Sequence, residues 1–196
     1  MTSKKQGIQG KIACVVAEGF EDSEFEIPRR RLEEVGYQVE VIGAEAGQTL
    51  KGYKGKVVAR TDRSIDDVRA EDYEGLLIPG GHSQDVLRAD QRFVTFVQRF
   101  DETKRPLAAV CHGPQLLMAA GLVKGRTLTA WPTIQRDLWQ MGAQVRDEEV
   151  VVDDNWITSR KPDDLEAFSV RMIEALRELE GRGMWPQPAS PPQLNA

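Results

Sequence analysis

The chain has 196 residues, of which 40% are hydrophobic and 29% are charged, and its formal net charge is −5. This composition is typical of one soluble globular domain and argues against a disordered chain. The acidic balance does not favour nucleic acid or a membrane as a partner, and no apolar run approaches transmembrane length. The two cysteines, Cys14 and Cys111, are too few and too far apart for a disulfide framework. We therefore expect a reducing, cytoplasmic location.

Two terminal segments are expected to be flexible tails. Residues 1–10 show no periodicity and lack the apolar core of a secretory signal. Residues 183–196 are rich in proline, which favours extended or mobile chain. Residues 11–182 are then expected to form a single domain.

The predicted elements of that domain alternate between strands and helices. Residues 11–17 form a nearly continuous apolar run, typical of a buried parallel strand. The other predicted elements are, in chain order, a helix through 25–35, a strand at 37–42, a hairpin within 49–60, a strand at 76–79, a helix at about 91–103, a strand at 107–110, helices at 113–120 and 132–141, a hairpin of 150–152 with 156–159, and a helix at about 162–180.

This order predicts an α/β fold whose mostly parallel sheet carries helices on both faces. In such folds, reactive groups collect at the carboxyl ends of the strands. That rule directs attention to three loops, at residues 19–23, 80–84 and 111–114.

The strongest chemical signal is the segment LAAVCHGP at residues 107–114. An apolar strand stops at Cys111 and a helix begins at once, which is the strand–nucleophile–helix elbow with cysteine in place of serine. Gly113 allows the turn to pack closely. The helix start offers free N–H groups and positive dipole potential, which stabilise a thiolate and a developing oxyanion. We predict an exposed, easily ionised nucleophile at Cys111 and a buried apolar side chain at Cys14.

Two histidines are candidates for roles beside the thiol. His112 could take the thiol proton as a general base, or it could merely cap the helix or face solvent. His82 follows Gly80 and Gly81 at the end of a predicted strand. Two glycines there bring backbone N–H groups close to a ligand, as an oxyanion hole requires. The alternative is a tight turn without a chemical role.

The loop EGFEDSE at residues 18–24 crowds carboxyl groups at a helix start. Part of this pattern has a routine cause, since Asp22 or Ser23 can cap the helix. An ionised carboxylate near the thiol would raise the thiol pKa, so a functional acid must be protonated and donate to sulfur. Either Glu21 or Glu24 is then expected to have an abnormally high pKa. Histidines and cysteines show no zinc spacing and no nucleotide-binding loop is present, so no metal and no cofactor is predicted.

Together these motifs resemble the ThiJ/PfpI superfamily within the class I glutamine amidotransferase-like fold. The most similar branch is that of the PfpI-type intracellular proteases and general stress proteins. The resemblance runs from about residue 11 to 179, and its carriers are the acidic loop, LIPGGH at 77–82, AVCHGPQLL at 109–117 and VVVDDNWITSR at 150–160. It implies a flavodoxin-like three-layer sandwich and a homodimer or larger homo-oligomer.

The resemblance also implies roles for individual residues. Cys111 would be the nucleophile with His112 beside it, and a third acid, at the position of Asp85, would come from the neighbouring subunit. Asp85 is one methylene shorter than the glutamate of the archaeal proteases. Glu24 would hydrogen-bond the sulfur, and the other residues expected at the pocket are Glu21, Gly80, His82, Trp131, and Gly81 and Gly113 as oxyanion donors. Trp131 stands where some members carry a tyrosine.

Two classes of function remain open at this point. The first is a Cys-His hydrolase, either a peptidase or a glyoxalase or deglycase acting on methylglyoxal or glycated proteins. A small pocket would favour the aldehyde, and an open groove would favour a peptide. The second is a non-catalytic stress protein whose low-pKa Cys111 is oxidised as a redox sensor, or whose surface acts as a holdase. The expected partners are a second copy of the chain and a small aldehyde or peptide substrate.

Overall fold

The computed structural model describes residues 10–181, which alternate between strands and helices. The strands are β1 Gly10–Val15, β2 Tyr37–Gly43, β3 Thr49–Lys51, β4 Val58–Arg60, β5 Arg63–Ser64, β6 Gly75–Ile78, β7 Leu107–Val110, β8 Thr127–Leu128, β9 Gln144–Val145, β10 Val150–Asp153 and β11 Trp156–Ser159. The helices are α1 Asp22–Glu34, α2 Ser83–Leu87, α3 Gln91–Glu102, α4 Pro114–Ala119, α5 Pro132–Gln140 and α6 Leu165–Gly181. The predicted tails lie outside the described residues, except for Gly10, which begins β1.

A seven-stranded sheet with the order β10-β11-β7-β6-β1-β2-β5 forms the centre of the molecule. Its neighbouring strands pair in parallel, except that β10 runs antiparallel to β11. Strands β6 and β7 are buried at every position. Continuous burial is what the short apolar runs in the sequence predicted, because both faces of such a strand are covered.

Two apolar cores lie on opposite faces of the sheet. Residues alternate between them along β6, so that Leu76 and Ile78 join one core and Leu77 joins the other. Helices α3, α4 and α5 cover the first face, whereas α1 and α6 cover the second. The predicted three-layer α/β sandwich is thereby confirmed. No helix in the described part of the chain has both the length and the apolar character needed to span a membrane.

Several local details differ from the expectations. The short helix α2 was not predicted, and the last helix begins at Leu165 because Pro162–Asp164 forms a 3₁₀ turn. The expected hairpins are present as β3–β4 and β10–β11. The residue that caps α1 is Glu21, whose side chain accepts a hydrogen bond from the backbone N–H of Glu24, rather than Asp22 or Ser23.

Candidate active site

The three loops selected from the sequence meet at the carboxyl edge of β1, β6 and β7. They surround a cavity of about 250 Å³. The residues lining it are Glu21, Glu24, Tyr53, Lys54, Gly81, His82, Cys111, His112, Trp131 and Pro162. Seven of the predicted site residues are therefore brought to one cavity by the topology of the sheet.

Cys111 occupies the sharp turn between β7 and α4. Its φ of 60° lies in the left-handed region, which a residue with a Cβ adopts at a cost of roughly 1–2 kcal/mol. Two backbone bonds hold this conformation: Cys111 N–H donates to the Ser159 carbonyl at 3.0 Å, and the Cys111 carbonyl accepts from Trp131 N–H at 2.9 Å. The residue is only 6% exposed, so the thiol is nearly enclosed at the wall of the cavity rather than openly exposed as expected.

Glu24 is the buried acid of the site. It is fully buried, its Oε2 accepts from Gly80 N–H at 2.8 Å, and its carboxyl group interacts with the Cys111 thiol. Burial and the nearby charge of Glu21 raise the pKa of Glu24 to about 7. The prediction that one of the two glutamates has an abnormally high pKa is confirmed for Glu24.

The pKa of the Cys111 thiol is raised above its ordinary value, mainly by burial and then by the charge of Glu24. The backbone N–H of His112 acts in the opposite direction. The expectation of a low-pKa thiol is thus wrong for the state in which Glu24 is ionised. Because Cys111 and Glu24 cannot both be charged at low cost, the pair titrates as a unit. A reactive thiolate requires the proton to reside on Glu24.

His112 lies directly against the thiol. Its Nδ1 is 3.2 Å from Cys111 Sγ, and its ring stacks on Trp131 with centroids 6.0 Å apart. Burial, followed by the proximity of His82, lowers the pKa of His112. A neutral imidazole at neutral pH is able to accept the thiol proton, as the general-base interpretation requires.

Glu21 has the opposite environment from Glu24. It accepts from the Lys54 ammonium at 2.6 Å, from the Ser23 hydroxyl at 2.6 Å and from Glu24 N–H at 2.9 Å. Although burial opposes ionisation, these donors hold the pKa of Glu21 below its ordinary value. Glu21 is therefore kept ionised, whereas Glu24 is readily protonated. Two neighbouring acids with such different pKa values can take different roles in acid–base chemistry.

The predicted glycines are required by close packing around the thiol. A Cβ at Gly80 would lie 2.6 Å from Glu24 Oε2 and 2.9 Å from Cys111 Cβ. Gly81 has a φ of 84°, and a Cβ there would overlap the backbone nitrogen of Glu21. Because glycine has no Cβ, the backbone at these two positions lies closer to the reacting atoms than it could with any other residue type.

The predicted oxyanion donors need one correction. Gly113 N–H donates to the Val110 carbonyl at 2.8 Å and closes the elbow, so it is not free for a ligand. The reason for a glycine at this position is steric, because a Cβ would lie 2.5 Å from the Ile78 carbonyl oxygen. Gly81 N–H donates to no acceptor in the described part of the chain and remains a candidate oxyanion donor.

Within one chain Asp85 neither lines the cavity nor hydrogen-bonds a residue of the site, although its negative charge acts on His112. It lies on α2, its side chain is 68% exposed, and it accepts from Arg88 at 2.7 Å. It makes no hydrogen bond to His112 of the same chain. His82 precedes α2 and packs against Tyr53 in a tilted arrangement, with ring centroids 4.5 Å apart.

Three residues at the cavity were missed by sequence reasoning: Tyr53, Lys54 and Pro162. The segment GYKGK at 52–56 indicated only a turn between two short strands. Nothing in it showed that the β3–β4 loop reaches across to α1, because that contact joins residues more than thirty positions apart. Among the described residues, no group of three or more His, Cys, Asp or Glu side chains is arranged to hold a metal ion.

This fold and site define an α/β protein with a cysteine on a nucleophile elbow, partnered by a buried glutamate and an adjacent histidine. The model of the DJ-1/PfpI family matches residues 10–175, and the chain belongs to that family.

Comparisons with individual proteins agree with this assignment. The chain is 48% identical over 170 residues to Protein/nucleic acid deglycase 2 of Escherichia coli strain K12, covering 86% of this chain and 97% of that protein. It is 46% identical over 169 residues to General stress protein 18 of Bacillus subtilis strain 168, covering 86% and 98%. Among solved structures, a two-domain protein with DJ-1/ThiJ/PfpI-like and ferritin-like domains from Anabaena variabilis ATCC 29413 matches with a TM-score of 0.84 and 34% identity. That match covers 96% of this chain and 52% of the two-domain chain.

Proposed function

We propose that the protein is a cysteine-dependent stress-response hydrolase that acts on small aldehydes or on their adducts with proteins, as a glyoxalase or deglycase. The observation that carries the proposal is a cavity of about 250 Å³ with the Cys111 thiol, a readily protonated Glu24 and a neutral His112 in its wall. A cavity of this size accommodates a three-carbon aldehyde and is smaller than the pockets that usually enclose larger ligands. It therefore favours the aldehyde alternative over an intracellular peptidase.

The proposed chemistry follows from the positions of these groups. The Cys111 thiolate adds to the aldehyde carbon of methylglyoxal, forming a C–S bond, while the carbonyl oxygen takes the proton held by Glu24. Gly81 N–H stabilises the oxygen as charge develops. His112 then moves a proton from the first carbon to the second, while the hydroxyl proton on the first oxygen passes to the second oxygen, which gives the thioester of lactic acid with Cys111. Water cleaves the C–S bond, releases lactate and returns a proton to sulfur, so one methylglyoxal and one water give one lactic acid.

A substrate panel tests this proposal. We expect the purified protein to turn over methylglyoxal or a freshly glycated peptide, and to leave the same unmodified peptide intact. Lactate release and peptide mass are measured in parallel, so deglycation and backbone cleavage are read separately. Cleavage of the unmodified peptide without lactate release would contradict the aldehyde specificity and support the peptidase alternative.

We further propose a homo-oligomer in which Asp85 acts on His112 of a neighbouring subunit. The exposure of Asp85 and the absence of a bond to its own His112 support this arrangement. The adjacent Val86 is 53% exposed, which leaves an apolar side chain available for a contact between copies. An acid supplied in this way would orient the imidazole of the other chain.

Mixed oligomers test the assignment of Asp85. We expect Asp85→Asn alone to reduce turnover while the protein stays folded, and Cys111→Ser alone to remove it. When the two variants assemble at random and in equal proportions into two-fold dimers, half of the dimers contain one copy of each variant. Only one of the two sites in such a mixed dimer has both Cys111 and Asp85, so about a quarter of wild-type activity should return. Recovery is measured after the two variants are co-expressed. Activity no greater than the sum of the separate variants would exclude a role across subunits.

A further inference from the structure

The loop between β3 and β4 is fastened to the start of α1 by Asp22. This carboxylate is 4% exposed and accepts three backbone N–H bonds, from Lys54, Lys56 and Val57, at 2.7–2.8 Å. Gly52 completes the contact, because a Cβ there would lie 2.5 Å from Asp22 Cγ. The loop therefore has a defined position over the cavity, although it lies outside the central sheet.

The anchored loop places one ammonium group among the acids of the site. Lys54 Nζ lies 2.6 Å from Glu21 Oε1, and its side chain is half exposed. Lys54 is the only lysine or arginine among the described residues that line the cavity. Lys56, two positions later, is exposed and is not part of the lining.

The charges that act on the thiol come from several elements. Glu21 and Glu24 lie at the start of α1, Lys54 lies on the β3–β4 loop, and His112 lies on the elbow. His82 and Asp85, at α2, act electrostatically on His112. Within this set Glu21 is a fixed anion, and it disfavours any second anion on Glu24 or Cys111.

We propose that Lys54 is a positioning residue for the thiol: its ion pair with Glu21 offsets the charge of that acid and allows the adjacent Glu24–Cys111 pair to release one of its two protons, which leaves the other on Glu24. This inference deepens the proposed function, because it rests on Cys111 being the reactive group. If Lys54 is removed, Ser23 and the Glu24 N–H still favour an ionised Glu21. The net change at the site is then the loss of one positive charge, and the thiolate forms at higher pH.

The rate at which iodoacetamide alkylates Cys111, followed against pH by mass spectrometry of the peptide, tests the proposal. We expect Lys54→Met to move the pH of half-maximal rate upward by about 0.5–1 unit. Lys54→Arg should restore the wild-type profile, and Lys56→Met, which removes the same charge outside the cavity, should leave it unchanged. High salt should move the Lys54→Met midpoint back toward the wild-type value, because screening weakens the repulsion between the unpaired Glu21 and the Glu24–Cys111 pair.

Two results would overturn the proposal. One is a Lys54→Met profile that coincides with that of the wild type, and the other is an equal shift for Lys56→Met. Thermal unfolding of each variant shows whether a change reflects loss of the fold, and the salt series on Lys54→Met separates an effect of charge from an effect of side-chain shape. Because alkylation is measured directly, failure of substrate turnover would count against the hydrolase proposal and not against the role of Lys54.

Discussion

Replacement of Cys111 by serine is expected to lower the kcat/KM for methylglyoxal by at least about 1000-fold. A serine hydroxyl is a far weaker nucleophile than a thiolate. In the wild type, Glu24 and His112 both contact the Cys111 sulfur. The variant should keep its fold, because serine has nearly the same size and the Cys111 backbone bonds do not involve the side chain. Lactate release under steady-state conditions is the measurement.

The matched control for this experiment is the other cysteine. Cys14 is fully buried within β1, and burial raises the pKa of its thiol to about 12, so it has no path to reactivity at neutral pH. Cys14→Ala should lose some stability and keep its kcat/KM. If the wild type and Cys111→Ser turn over substrate equally, the hydrolase proposal is lost. A sensor in which Cys111 is oxidised, with Glu24 donating a hydrogen bond to the oxidised sulfur, would then remain.

Replacement of Glu24 by glutamine should change how stability depends on pH. The pKa of Glu24 rises from 4.5 to about 7 on folding, so the folded state holds this proton more tightly than the unfolded state. The resulting stabilisation is complete below pH 4.5 and is lost as the pH rises through about 7, an amount of about 3 kcal/mol. The amide introduced by Glu24→Gln carries no titrating proton, so this contribution does not vary with pH in the variant. The difference in unfolding free energy between the wild type and Glu24→Gln should therefore change by about 3 kcal/mol as the pH rises from below 4.5 to above 7.

Urea unfolding of both proteins at pH 5 and pH 8 provides the measurement. The lowered pKa values of Glu21 and Asp22 affect the wild type and the variant alike, so the difference isolates Glu24. Glu26→Gln, on an exposed position of the same helix, is the matched control and should follow the wild type. An unchanged difference between the two pH values would show that Glu24 does not carry the proton.

The same variant should alter the reactivity of the thiol. In the wild type, ionisation of Glu24 above pH 7 suppresses the thiolate, so alkylation of Cys111 should level off. With the neutral amide of glutamine in its place, alkylation should continue to rise between pH 7 and 9. A profile that levels off in both proteins would contradict the coupling between the two groups.

The fold was predictable because its signals are local. Continuous apolar runs at 11–17 and 107–110 indicate strands buried on both faces, and the alternation of such runs with amphipathic helices leaves a covered parallel sheet as the favoured arrangement. The elbow was equally visible, since a strand that ends at Cys111 and is followed by His-Gly-Pro specifies a sharp turn. The short helix α2 was missed because five residues carry too little periodicity to be recognised.

The electrostatics of the site were predictable only in part. The acidic loop indicated that one glutamate near the thiol must be protonated, but spacing did not distinguish Glu21 from Glu24. The distinction arises because Glu21 reaches three donors at the helix start, whereas Glu24 is buried against Gly80 and Cys111. The thiol pKa was predicted in the wrong direction for the same reason, since burial is a property of the packed chain.

By itself, the sequence determined the layered α/β fold, the elbow that presents Cys111, and the loops that meet beside it, because hydrophobic periodicity and turn chemistry act over a few neighbouring residues. Only the tertiary structure decided which groups share a proton, that Gly113 N–H is already bonded, and that Lys54 reaches the site. These features depend on distances between residues far apart in the chain and on how much water remains around each charge. Neither quantity is encoded in local spacing.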